Sequence, residues 1–425
     1  MTLLLFVGSL LSTMAIGVPV AFALLVSGAV LMWQLDMFNA QIIAENVIHG
    51  ADSYPLLAVP FFLLAGEIMN KGGLSRRLIN LALALIGHVH GGLGYVTILA
   101  AVLLAALSGS AVADAAMLAA LLFPLMTAAG HDPARSAGLI AASSLVAPII
   151  PPSIGFIVFG VAANVSISRL FMAGIAPGIM LALAVTLTWW WLSGRDNVAP
   201  QPRRSLAEVL AALRESAFAL MMPVIIIAGL KMGVFTPTEA GVVAAVYALV
   251  VSLVVYRELS WQVLYDSFAG AARTSAVVML LVAAAAVSAW LITVANIPQQ
   301  VVSLLDPLIG NPMLLMAAMM LLVIIVGTAL DLTPTILILV PVLMPLVKAA
   351  GIDPVYFGIM FMINCAIGLI TPPVGVVLNT VAGVGRVSMD RVMAGVWPFM
   401  LVQFAFMFLL VLFPDLVTVP AQWFR

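Results

Sequence analysis

The sequence predicts an all-α polytopic membrane protein made of two inverted repeats, each carrying a re-entrant hairpin and a broken helix. Three observations lead there. Of 425 residues, 64% are hydrophobic and 8% charged, whereas a soluble globule is about 25% charged. Apolar runs of the roughly 20 residues that span a bilayer recur from Leu3 almost to Pro414. They are continuous, where a β-barrel would alternate, so helices must satisfy the backbone. Finally, one stretch occurs twice without a gap, at an offset of 221 residues. Pro124-Leu, Ala128-Ala-Gly130, Asp132-Pro133, Pro151-Pro152, Met172-Ala-Gly174 and Pro177 fall on Pro345-Leu, Ala349-Ala-Gly351, Asp353-Pro354, Pro372-Pro373, Met393-Ala-Gly395 and Pro398. Matches confined to Leu and Val would carry nothing in so apolar a chain, but these are mostly Pro, Gly and Asp, residues with specific backbone roles.

Taken in order, Leu3 to Trp33 is apolar with a Gly17-Val-Pro19 interruption, which predicts one kinked span. It is too long for a signal-peptide core and lacks a basic flank before it, so it reads as retained. A polar interval follows to Asp52, then a span over Tyr54 to Met69 that ends at Asn70-Lys-Gly-Gly73. The amphipathic stretch with Arg76, Arg77, His88 and His90 reads as an interfacial arm. Tyr95 to Met126 is apolar except for Ser108-Gly-Ser110 and Asp114, which predicts a hairpin with its tip near Ser108 to Ala111. The helix over Ala137 to Ala163 is broken at Pro148 and Pro151-Pro152, and Leu170 to Trp191 closes the half.

Arg195 to Arg214 is the most polar segment and links the halves. Spans over Ala217 to Val234 and Ala240 to Tyr256 lead into the second copy of the plan. That copy has an arm at Ser260 to Ala272, a span at Thr274 to Val294, and a hairpin over Met313 to Val347 with its tip at Gly327 to Thr333. A helix from Val355 broken at Thr371-Pro-Pro373 and a span over Val392 to Leu412 complete it. The expected division is therefore 1–92 scaffold and arm, 93–193 first transport half, 194–310 loop, scaffold and second arm, 311–413 second transport half, and 414–425 tail.

Charge sets the orientation. With the N-terminus and the Arg195 to Arg214 loop cytoplasmic, only Arg169, Lys231, Lys348 and Arg425 of the 16 Lys and Arg fall outside, in keeping with the positive-inside rule. The first hairpin then opens to the cytoplasm and the second outward. Inverted repeats with broken helices at matching positions point to a secondary transporter with a midplane site.

Each proline lacks an N–H and clashes with the carbonyl four residues back. Pro151 and Pro152 therefore release the carbonyls of Ala147 and Pro148, and Pro372 and Pro373 those of Gly368 and Leu369. Unpaired carbonyls in lipid are costly, and a cation can occupy them. Carbonyls of Gly327, Gly368 and Thr371 with hydroxyls of Ser108, Ser110, Ser153 and Thr371 can form two related sodium sites. The plainer reading is that the prolines kink helices and Ser or Thr re-satisfies the backbone. Asp114 and Asp331 are the intramembrane acids nearest the tips, each either an ion ligand or a helix N-cap. Glu67 reads as structural. Asn164 and Asn364 belong either to the ion and substrate shell or to helix packing. The histidines share no helical face, which disfavours a metal site, and Cys365 reads as a buried apolar residue. There is no basic tract for nucleic acid, no nucleophile with a base, no phosphate loop and no cytosolic domain for ATP. Coupling is then expected to be ionic, and an anionic substrate would suit the helix N-termini that face the breaks. The chain reads as a non-enzyme without a cofactor beyond coupling sodium ions.

Four segments carry a resemblance: Ser108-Gly-Ser-Ala-Val-Ala-Asp-Ala115, Ala147-Pro-Ile-Ile-Pro-Pro-Ser153, Gly233-Val-Phe-Thr-Pro-Thr-Glu-Ala240 and Gly368-Leu-Ile-Thr-Pro-Pro-Val-Gly375. In this order they resemble the large membrane subunit of tripartite ATP-independent periplasmic (TRAP) transporters across essentially the whole chain. The Ala51-Asp-Ser-Tyr54 start and the Trp189-Trp-Trp191 run are similar to permeases for sugar acids such as diketogulonate. The resemblance implies a bacterial inner-membrane elevator driven by sodium, a small four-helix membrane subunit on a separate chain, and a periplasmic binding protein that delivers an organic acid. It also implies sodium ligation around Gly327, Gly368, Thr371 and Val374 and in the matching 108–110 and 151–153 region. The full candidate sodium set is Ser108, Ser110, Ala147, Pro151, Ser153, Gly327, Asp331, Gly368, Thr371 and Val374. Ser108, Ser110, Ser153, Asn164, Asn364 and Thr371 are the candidate substrate contacts. The rival reading is a stand-alone anion exchanger or channel that needs no binding protein.

Overall fold

The computed structural model describes residues 2–194, 198, 200–304 and 306–423. The first half runs α1 (Thr2–Ala15), α2 (Val20–Gln34), α3 (Ala40–Ala51), a 3-10 turn (Tyr54–Leu57), α4 (Ala58–Lys71), α5 (Leu74–Ile86) and α6 (Gly92–Ser108). It continues through α7 (Ala111–Leu121), α8 (Phe123–Ala128), α9 (Pro133–Ser144), α10 (Ile154–Ala163) and α11 (Ile167–Ser193). The second half begins with α12 (Leu206–Lys231), α13 (Pro237–Val250) with a π turn (Val251–Val255), and α14 (Trp261–Val294). Then come α15 (Ile297–Leu304), α16 (Asp306–Ile309), α17 (Pro312–Gly327), α18 (Leu332–Ala349), α19 (Pro354–Gly368), α20 (Val376–Gly385), α21 (Met389–Leu412) and α22 (Asp415–Trp423). Among the described residues, 7 helices are long and apolar enough to cross a membrane, or 8 if the bent α3–α4 pair counts as one span. This is a multi-pass all-helical membrane protein.

The repetition read from prolines and glycines extends to whole elements. The same offset carries α6, α7 with α8, α9, α10 and α11 onto α17, α18, α19, α20 and α21, with their ends agreeing to within a few residues. It also carries α3 with α4 onto α14. The halves exchange partners in space: α10 packs on α18, α20 packs on α7, and α9 packs on α21. The last contact is close because Gly138 and Gly395 face backbone, and a Cβ on Gly395 would overlap the Ala134 carbonyl.

Three expectations are corrected. The first span is two helices, because Gly17 takes a left-handed φ of 88° and Pro19 stands before α2, so the chain turns and α1 packs on α2. The second arm and span are one 34-residue helix, α14, which holds no Pro and carries Gly270 without a break. The polar linker is helical from Leu206, where a capping box of Ser205 and Glu208 starts α12. Arg195 and Arg425 lie outside the described residues. The other breaks fall where the sequence placed them. Helix α4 packs on α13, and α14 packs on α2, α3 and α4, forming the frame against which the paired helices sit.

Candidate ion and substrate site

The first turn between paired helices is built by three small residues. Gly109 ends α6 at φ 60°, and Ser110 caps α7 by accepting the Ala113 N–H at 3.4 Å. The Ser108 hydroxyl donates to Asp114 Oδ1 at 2.5 Å and accepts the Ser110 N–H at 3.2 Å. Asp114 is fully buried, and its Oδ2 meets no donor among the described residues. A side chain at position 109 is excluded because its Cβ would lie 2.5 Å from the Pro152 carbonyl oxygen. This tip therefore rests directly on the break between α9 and α10.

In that break the Pro151-Pro152 bond is cis. The Ser153 hydroxyl donates to the Pro148 carbonyl at 2.7 Å and also caps α10 by accepting the Phe156 N–H at 3.4 Å. Serine thus re-satisfies one of the two released carbonyls. That of Ala147 meets no donor among the described residues.

The second turn uses a different cap. Asp331 starts α18 by accepting the Leu332 N–H at 2.8 Å, so the carboxylate fills the N-cap role at this tip. Gly327 abuts the other break, where a Cβ on Gly368 would lie 2.8 Å from the Gly327 carbonyl oxygen. Here too the bond, Pro372-Pro373, is cis. The Gly368 carbonyl accepts the Thr371 N–H at 3.0 Å, and the Leu369 carbonyl accepts the Val377 N–H at 3.1 Å. The Thr371 hydroxyl turns back to the Ile367 carbonyl at 2.8 Å, and the Val374 carbonyl accepts from Asn379 Nδ2 at 2.7 Å. Each such carbonyl keeps a second lone pair for a further donor or an ion.

Both tips and both breaks meet at one cavity of about 270 Å³. Gly109, Ser110, Asp331 and Thr333 line it from the tips, and Pro148 and Leu369 from the breaks. Leu63 of α4 with Thr274 and Val278 of α14 close it from the frame. Ile154 and Gly155 of α10 also line it, and a larger cavity of about 460 Å³ lies on the next turns of α10, α14 and α18, at Val158, at Val282 and Ala285, and at Leu337 and Pro341. His49, Asp52 and Ser53 line this larger cavity too.

Ser110 and Asp331 therefore stand on the cavity wall. Ser108, Ala147, Pro151, Ser153, Gly327, Gly368, Thr371 and Val374 lie in the turns around it without lining it. Asn364 is buried in α19, its Nδ2 donating to the Met320 carbonyl while Oδ1 meets no donor among the described residues. Asn164 falls elsewhere. It ends α10 at φ 54°, exposed, about 16 Å along the helix from Ser153. Leu63, Thr274, Val278 and Thr333 were not found from sequence. The repeat offset held a signal for Thr274, since its image is Ser53 at the neighbouring cavity.

The profile of the tripartite ATP-independent periplasmic transporter family, DctM component, matches residues 7–416. The chain belongs to this family. It is 55% identical to the 2,3-diketo-L-gulonate TRAP transporter large permease protein YiaN of Escherichia coli (strain K12), over the full length of both. It is 36% identical to the sialic acid TRAP transporter large permease protein SiaM of Vibrio cholerae, covering 94% of this permease and 93% of that one. Against the isethionate TRAP transporter permease protein DctMQ of Oleidesulfovibrio alaskensis it is 36% identical over 92% of this permease and 62% of that protein. The permease also shares its fold with the YdaH transporter of Alcanivorax borkumensis, at TM-score 0.63 and 16% identity over 87% and 86% of the two chains.

Proposed function

We propose that this TRAP large permease imports a sugar acid together with sodium, working with a separate small membrane subunit and a periplasmic binding protein in the bacterial inner membrane. The observation that carries this reading is the single cavity at which both tips and both breaks converge against α4 and α14. A small anion held there faces the N-termini of α7, α10 and α18, whose free N–H groups and dipoles favour negative charge. The name of the relative at 55% identity supports a sugar acid. The N-terminus is assigned to the cytoplasm by the distribution of Lys and Arg, so the two hairpins enter from opposite sides.

Sodium fits the first tip for a specific reason. An ionised carboxylate with an unpartnered oxygen is costly in an apolar interior, and a cation at Asp114 Oδ2 offsets that cost. At the second tip, the lone pairs left on the Gly327, Gly368, Thr371 and Val374 carbonyls supply the equivalent set. Transport then moves the hairpins and breaks past the frame as a unit.

The decisive variant is Asp114→Asn, which keeps the shape and the oxygen that Ser108 bonds but removes the charge. Reconstituted with its partner proteins, it is expected to lose sodium-driven uptake of the sugar acid by at least about tenfold, the equivalent of about 1.4 kcal/mol, with its melting temperature retained. Ser153→Ala with Thr371→Ala is expected to abolish uptake as well, but Ser153 also caps α10, so its melting temperature must be measured alongside. Undiminished sodium-dependent uptake by Asp114→Asn would sink the ion assignment.

A further inference from the structure

A groove of about 1020 Å³ runs between α11 and α21, away from the cavity described above. Met180, Ala184 and Thr188 on α11 and Leu401, Ala405 and Leu409 on α21 line it. These six are the same three positions of the two repeats, so the groove follows the internal symmetry. Both walls are membrane-length apolar helices.

Three features define what fits it. First, its length: Trp397 to Leu409 covers about 18 Å of helix rise, and Met180 to Trp191 about 16 Å. That matches one leaflet of a hydrocarbon core about 30 Å thick. Second, its aromatic end: Trp191 and Trp397 both line the same end, with Trp190 exposed beside them, and indoles favour the level of the headgroups. Third, its charge. Arg391 is exposed and lies seven residues before Pro398 and fourteen before Ala405, so it is on the groove side of α21 about two turns beyond Pro398. Arg386 is exposed at the turn into α21, and Arg135 reaches the same end, donating to the Leu192 carbonyl at 3.3 Å. Asp390, next to Arg391, is rotated about 100° away around the helix.

We propose that this groove is a binding site for one anionic phospholipid. An acyl chain fills the apolar channel, and the phosphate meets Arg391 and Arg386 just beyond the tryptophans. Basic pockets between membrane helices recognise anionic headgroups by charge, and the small Ala184 and Ala405 leave room for the chain beneath.

The test is native mass spectrometry of the purified permease titrated with phosphatidylglycerol or with phosphatidylcholine of the same acyl chains. One phosphatidylglycerol is expected to survive activation that strips phosphatidylcholine. Arg391→Gln is expected to cut that retention about fivefold and leave phosphatidylcholine unchanged. Ala405→Phe fills the channel and is expected to abolish retention of the bound lipid. Should Ala405→Phe fail to fold, judged by its melting temperature, the exposed Arg391→Gln still decides. Equal retention of the two lipids, or no effect of Arg391→Gln, overturns the proposal. So does a cross-link from Leu183→Cys to a co-purified small membrane subunit, which would show the groove covered by protein.

Discussion

At Gly395 the chain has no room for a methyl group, because the Ala134 carbonyl of the other repeat already occupies that space. Backbone on both sides has no rotamer to escape into. Gly395→Ala is therefore expected to destabilise the permease by about 1–3 kcal/mol, read as a lower melting temperature in detergent. Gly8→Ala is the control: nothing lies within 4 Å of its Cβ, and alanine is the better helix residue. Equal shifts for the two would remove the close approach as the reason for glycine. Residue types of this kind were legible in the sequence as positions, since Gly395 stood in the repeated Met-Ala-Gly motif. Their partners were not, because a contact between residues 134 and 395 depends on how the halves fold together. The prolines show the same limit. The carbonyls they release follow from covalent chemistry, but the Ser153 hydroxyl that returns to the Pro148 carbonyl becomes visible only with the turn in place.

Helix boundaries were read well where a residue forces them and badly where only the repeated plan suggested them. Asp132-Pro133 and Asp353-Pro354 start α9 and α19 as N-cap and N1 pairs, and the repeat marked both. By contrast, repetition of the first half's plan suggested an arm over Ser260 to Ala272 separate from the span that follows, yet its Gly270 does not break the hydrogen bonding and α14 runs through. Its image in the first half is broken at Ser53-Tyr-Pro55, so the two repeats differ by one local lesion. The segment Phe235-Thr-Pro-Thr-Glu239 served the sequence reading as part of a family motif, and its physical role is a helix start. The Thr236 hydroxyl accepts the Glu239 N–H at 3.3 Å, the Glu239 carboxylate accepts the Thr236 N–H at 2.7 Å, and Pro237 sits in the first turn. Thr236→Ala is expected to cost about 1 kcal/mol of stability, whereas Thr236→Ser keeps the bond and the melting temperature. An alanine variant as stable as the serine variant would show that α13 needs no cap.

Across the whole molecule the two halves share a plan but not a set of contacts. Helices α10 and α18 pack on α4 and α14, while their images α20 and α7 pack on each other and on α9, with no comparable hold on the frame. If the paired helices move as a unit, as proposed above, the exchanged arrangement, with α7 and α20 seated on α4, is the expected second state, because the repeats are chemically alike. Ala285 and Leu337 line one cavity in the present arrangement, and the repeat offset maps them onto Leu64 and Ala116. In a Cys365→Ala background, cysteines at 285 and 337 are expected to cross-link in the state described above. Cysteines at 64 and 116 are expected to cross-link only in the exchanged one. Each bridge should stop uptake, reduction should restore it, and a sodium gradient should shift the yields of the two in opposite directions. Bridges that form together in one molecule, or a bridged permease that transports at the full rate, would exclude exchange of the repeats as the transport step.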